Sequence, residues 1–123
     1  MILITGAGGT CGRELLRHLS DAGVPFRAGY STAAKAEEAR SRGLNAVHAD
    51  FRQPGTLAAA LRGIDAVFLL SGWSPDQTLI EMNLVREAKR AGVRHIVKLS
   101  VWDAAGEAFS FARIHRPVEK EIE

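Results

Sequence analysis

Apolar residues fall along this chain in short blocks, separated by longer stretches with helical spacing. Ile2, Leu3 and Ile4 form the first block, short and wholly apolar, as a strand covered on both faces requires. Over residues 10–22 the apolar positions Leu15, Leu16 and Leu19 repeat at helical spacing, and Gly23 stands where a helix commonly ends. The alternation then recurs. Residues 24–30 read as a second strand with Pro25 at its entry. Residues 33–42 read as a charged, Ala-rich helix, with Glu38 four residues before Arg42, closed by Gly43. Residues 44–49 make a third strand, and a short helix over about 56–62 stops at Gly63. Residues 64–70 are the most continuously apolar block and predict a central strand. Ser74, Pro75 and Gln77 predict the N-cap, N1 and N3 positions of a helix with the stripe Ile80, Leu84, Val85 and Ala88, ended by Gly92. Residues 94–100 give a fifth strand, 102–110 a loop, and 111–123 a last helical segment.

Short apolar strands joined by helical crossovers predict an α/β fold. The expected architecture is a Rossmann-type doubly wound parallel sheet of about five strands in the order 3-2-1-4-5. Its ligand crevice lies at the carboxyl ends of strands one and four. At 123 residues a single domain, 1–123, is expected.

The turn after the first strand carries the chemistry. Gly6, Gly9 and Gly12 fall at G-x-x-G-x-x-G spacing, between a strand and a helix. Glycine permits a left-handed turn, and its missing Cβ lets backbone approach a phosphate. The helix start adds unpaired N–H groups and a positive dipole end, which together suit a dinucleotide pyrophosphate. The pattern is not G-x-G-x-x-G, because Cys11 stands at the sixth position. It is not a P-loop either, since no Gly-Lys-Ser/Thr follows.

Composition narrows the classes. An apolar share of 46% and a charged share of 24% are ordinary globular values. The net charge of +2 points to neither nucleic acid nor acidic membranes. No apolar run approaches the length of a membrane span. Cys11 is the single cysteine, so no internal disulfide forms and a reducing, cytoplasmic compartment is expected. His48 and Asp50 share a strand face but are too few for a metal site, and none is expected.

Taken together, these residues resemble the N-terminal half of NmrA-like proteins, in the atypical short-chain dehydrogenase/reductase superfamily. The matching pieces are the glycine turn, Ala49-Asp50-Phe51, the run from Asp65 to Ser71, and the run from Ala91 to Ser100. The resemblance implies that Gly6, Gly8, Gly9, Thr10, Cys11 and Gly12 hold the pyrophosphate. It implies that Asp50 bonds the adenine amino group beside Phe51, and that Ser71 and Gly72 lie along the adenine-side ribose. Family members run well beyond 123 residues, so a truncated product or fragment is expected. Strand five is then an exposed edge through which copies of the chain pair.

The cofactor expected is NADP(H) rather than NAD(H). Strand two ends at Tyr30, Ser31 and Thr32 without the carboxylate that binds a ribose 2′-hydroxyl. Ser31 and Thr32 offer hydroxyls to a 2′-phosphate and Lys35 offers charge. Glu37 and Glu38 are expected to face solvent, and Arg27 has no assigned side.

The superfamily's Tyr-x-x-x-Lys pair is absent. The lone Tyr30 sits on strand two with Ala34 four residues on. At the matching helix His115 and Glu119 occupy the two places, and Ser100 matches the superfamily's catalytic serine. His115 is read either as a general acid or as an exposed or capping histidine. Pro117 either sets the start of this helix near His115 or kinks it. Lys98 is expected at a sheet edge or a cofactor phosphate. Trp73 and Trp102 either wall a flat ligand or cap the core. Two functions follow: an NAD(P)H-dependent oxidoreductase of unknown substrate, or a non-catalytic dinucleotide-sensing module.

Overall fold

The computed structural model describes residues 1–123. The strands are β1 (Ile2–Ile4), β2 (Phe26–Tyr30), β3 (Ala46–His48), β4 (Ala66–Leu69) and β5 (His95–Lys98). Between and after them run α1 (Thr10–Asp21), α2 (Ala33–Ser41), α3 (Pro54–Ala60), α4 (Gln77–Arg90) and α5 (Ser110–Ile122). All strands pair in parallel, in the order β3-β2-β1-β4-β5, as the alternation predicts.

Side-chain alternation sorts the core onto two faces. Leu3, Val67 and Leu69 point toward α3, α4 and α5, where they join Leu57, Leu84, Val85 and Val118. Ile4, Ala28 and Tyr30 point toward α1 and α2, with Leu16, Ala36 and Ala39. β5 is covered on one face only. Ile96 packs into the first cluster, whereas Val97 and Leu99 stay exposed beside an unpaired edge.

Several boundaries depart from the sequence reading. α3 begins at Pro54, two residues early, because proline is preset for the first helical turn. Ser74 is not the N-cap of α4. Its carbonyl accepts from Gln77 N–H at 3.1 Å in a preceding turn, and Asp76 takes the cap position while Arg52 holds its carboxylate at 2.7 Å. The 102–110 loop contains a 3-10 turn, Ala104–Gly106, flanked by Asp103 and Glu107 at φ +52° and +50°. α5 starts at Ser110 and runs through Pro117, so the proline does not set its start. Arg27 donates to the carbonyls of Ala60 and Arg62 at 2.7 and 2.8 Å, a cation closing the C-terminal end of α3.

Candidate functional site

The carboxyl ends of β1 and β4 are locked together by Thr5. This buried hydroxyl lies 3.0 Å from the Phe68 carbonyl and 2.9 Å from that of Leu70, and accepts from Leu70 N–H at 2.9 Å. The glycine turn leaves from this point, and its three glycines meet different demands. Gly6 turns the chain at φ +62°, where a Cβ would sit 2.9 Å from the Leu70 carbonyl oxygen. Gly12 lies on α1 where a Cβ would come within 2.1 Å of the Gly6 carbonyl oxygen, so the helix rests directly on the turn. Gly9 is the N-cap of α1, and a Cβ there would meet only the Gly6 oxygen, at 3.4 Å. α1 has no side-chain cap and no acidic residue in its first turn, which leaves its leading N–H groups to an outside anion.

Above this turn opens a cleft of about 450 Å³. Gly6, Gly8 and Gly9 form its floor, and Ser31 and Lys35 one end. Asp50 and Phe51 line it from the end of β3, and Ser71 and Gly72 from the end of β4. Thr10, Cys11, Gly12 and Thr32 do not line it. Thr10 and Cys11 are exposed on the first turn of α1, and Thr32 caps α2 by accepting from Lys35 N–H at 3.3 Å. Asp50 is turned toward its own loop: its carboxylate accepts from Arg52 N–H and Gln53 Nε2, each at 2.9 Å. A carboxylate offers about four lone-pair directions, so acceptor capacity remains. Lys35 makes no ion pair, whereas Arg52, which also lines the cleft, is held by Asp76. The cradle has room for a dinucleotide phosphate, because around Gly9 a Cβ would meet only the Gly6 oxygen and the space above the first turn of α1 is open.

A second cavity of about 250 Å³ adjoins the first and shares Leu70, Ser71 and Trp73 with it. Ser100 and His115, distant in sequence, meet here. Trp73, 67% exposed, walls both cavities, and Trp102 at 91% exposure caps no core. His115 is not the exposed or capping residue of one reading. It is buried, and its Nδ1 has no partner. Lys98 stands on the edge strand β5, and its side chain turns in toward α4. Its Nζ lies 2.6 Å from Glu81 Oε2, in a pair whose side chains are 4% and 2% exposed. Glu81 Oε1 also accepts from the Ser71 hydroxyl at 2.6 Å and from Gln77 Nε2 at 3.1 Å. The Ser100 hydroxyl donates to Glu119 Oε1, and Arg116 holds the same carboxylate at 3.2 Å. Sequence reading missed Glu81, although Gln77, Glu81, Leu84 and Ala88 share one helical face and the last two are plainly core.

Burial pushes the His115 imidazole below its ordinary range, and the nearby Lys98 ammonium pushes the same way; Glu81 and Glu119 oppose both. The folded protein therefore takes up this proton less readily than the unfolded chain. The stability conferred by neutral His115 is complete above its ordinary value of about 6.5, and is lost as pH falls toward the depressed folded value. Glu119 is held below the usual carboxylate range, first by the Ser100 hydrogen bond, so its contribution is lost only in a more acidic window. The thermal midpoint is expected to fall between about pH 7 and pH 5, and His115→Gln to flatten that limb. An unchanged slope in the variant would refute this origin.

The sequence profile of the NAD(P)H-binding family matches residues 6–121. The chain belongs to the NAD(P)H-binding family. Within this family it is 45% identical over 97 residues to the NAD(P)H azoreductase of Xenophilus azovorans, an alignment covering 79% of this chain and 34% of that protein. It is 30% identical over 106 residues to an NmrA-like family domain-containing oxidoreductase of Aspergillus flavus, covering 76% of this chain and 33% of that protein. The triphenylmethane reductase of Citrobacter sp., solved with NADP(H), superposes with a TM-score of 0.86 at 31% identity, over 98% of this chain and 44% of that one. The NmrA-like resemblance therefore holds, and this NAD(P)H-binding chain spans between a third and a half of these relatives' lengths. No helix in it is long and apolar enough to cross a membrane.

Proposed function

We propose that this NAD(P)H-binding chain serves an oxidoreductase, that it prefers NADPH to NADH, and that the second cavity receives the electron acceptor. The observation that carries the reading is the junction of the two cavities at the end of β4, where they share Leu70, Ser71 and Trp73. A cofactor lying over the glycine turn thereby reaches a pocket that holds an unpartnered imidazole.

The chain's own groups divide the work. The backbone of Gly8 and Gly9 and the leading N–H groups of α1, from Thr10 onward, receive the pyrophosphate. Asp50 accepts from the adenine amino group, with the Phe51 ring beside it. Ser31 and Lys35, which line the cleft, hold the 2′-phosphate, while Thr32 stays behind them as the cap of α2. The absence of a carboxylate at the end of β2 and the unpaired state of Lys35 favour that assignment. When bound, the nicotinamide supplies the hydride. His115, uncharged at neutral pH, offers the acceptor a hydrogen bond from its ring N–H, and the proton that completes the reduction comes from solvent. Ser100 donates to Glu119 and so cannot replace it as donor. Leu99, Trp73 and Phe111 give the acceptor apolar walls to lie against.

Titration with NADPH and NADH, read by quenching of Trp73, tests the cofactor assignment. NADPH is expected to bind more tightly, and Lys35→Ala to weaken NADPH by roughly tenfold with little effect on NADH. Equal losses for both cofactors would remove Lys35 from the phosphate. Oxidation of NADPH with a panel of quinones, enones and azo dyes tests the reaction. Tight binding without any turnover would favour the sensing module over the reductase.

A further inference from the structure

Both serines of the second cavity have their protons taken by the protein itself. A hydroxyl has one proton to donate and two lone pairs to accept with. Ser71 spends its proton on Glu81 Oε1 at 2.6 Å, and Ser100 spends its own on Glu119 Oε1. Neither direction reverses easily, because reversal requires a protonated carboxyl group. Glu81 is paired with Lys98 at 2.6 Å, with both side chains almost wholly buried. Glu119 is pinned by Arg116 at 3.2 Å, and its carboxyl lies below the usual range. What the two serines show to a ligand is therefore lone pairs alone. Flat or apolar walls stand beside them in Trp73, Phe111 and Leu99, and the polar remainder of the lining is Gln77, already donating to Glu81, and His115.

We propose that the second cavity selects a planar ligand carrying an N–H or O–H donor, read by the fixed acceptor oxygens of Ser71 and Ser100. This deepens the reading of that cavity as the acceptor site and rests on it. Glu81 and Lys98, and Glu119 and Arg116, are positioning pairs that set the polarity of the two hydroxyls. Serine hydroxyls left free would adapt to donor or acceptor alike; here the buried ions remove that choice. A ligand bearing only acceptors at this position meets unpaired lone pairs, a loss that sites built for a hydrogen bond enforce strongly.

The test is calorimetric binding of 2-amino-1,4-naphthoquinone and its 2-dimethylamino analogue to the protein without cofactor. The two probes share a flat ring and its carbonyls and differ in the donor. The amino compound is expected to bind at least about tenfold more tightly. In Ser71→Ala/Ser100→Ala this preference should shrink to about twofold or less. The variant keeps its fold, since Glu81 retains Lys98 and Gln77 and Glu119 retains Arg116. Equal affinity of the two probes for the unaltered protein overturns the inference without touching the cofactor assignment, and that outcome does not depend on the variant. Failure of the amino probe to bind overturns it as well. Loss of NADPH binding, measured separately, strikes the dinucleotide reading instead.

Discussion

Gly9→Val is expected to weaken NADPH binding by at least about a hundredfold while leaving the fold in place. Gly9 has φ −81° and ψ 174°, an extended conformation that valine adopts readily. In the protein alone its Cβ would touch one atom, the Gly6 oxygen, at ordinary contact distance. The cost to stability is therefore small, about 1 kcal/mol or less, chiefly from a poorer helix cap. The branched side chain instead fills the space above the first turn of α1, where phosphate oxygens must meet N–H groups. Thermal unfolding near that of the unaltered protein, together with lost binding, is the expected pair of results. Retained affinity would remove the glycine turn from the cofactor site.

Gly12→Ala is expected to do the reverse and act on folding first. A Cβ here would lie 2.1 Å from the Gly6 carbonyl oxygen and 2.9 Å from the Ala7 Cα. Both are backbone atoms at the end of β1, and the Thr5 lock to β4 prevents them from yielding cheaply. The helix must move off the turn, at a cost of about 3 kcal/mol, the upper part of the range for overpacked cores. For a chain of this length that lowers the thermal midpoint by roughly 10 °C. A differential scan showing less than about a third of that shift would mean that α1 is free to slide. The two substitutions stand three residues apart in one motif, yet one removes a ligand and the other removes a packing contact.

The alternation of apolar blocks with helical stretches was enough to place every strand and make the sheet parallel, and the Rossmann-type pattern supplied the strand order. A buried parallel strand must be apolar on both faces, and each glycine after a helix marks a real stop: Gly23, Gly43, Gly63 and Gly92 all have positive φ. The glycine turn was legible for the same reason, since its geometry is local. The second cavity was not. Ser71 meets Glu81 ten residues on, Lys98 meets Glu81 across seventeen, and Ser100 meets Glu119 across nineteen. Each partner is a common surface residue whose burial follows from the docking of α4 and α5 on β5. Lys98 is on the edge strand, but strand periodicity gives it a face and not the Glu81 carboxylate that covers that face. His115 looked ambiguous because burial, not residue type, decides its charge. Ser74 misled because a serine before a proline satisfies the rules for a helix start in a turn one step too early.

Trp73 belongs to both cavities, and so do Leu70 and Ser71. Under the proposed reading, occupants of the two cavities touch the same three residues, and each is expected to alter the other's affinity. If an acceptor tightens the hold on NADPH by some factor, NADPH must tighten the hold on that acceptor by the same factor. Trp73, the exposed member of the three, is where a substitution is expected to change that factor without touching either ligand's own polar contacts.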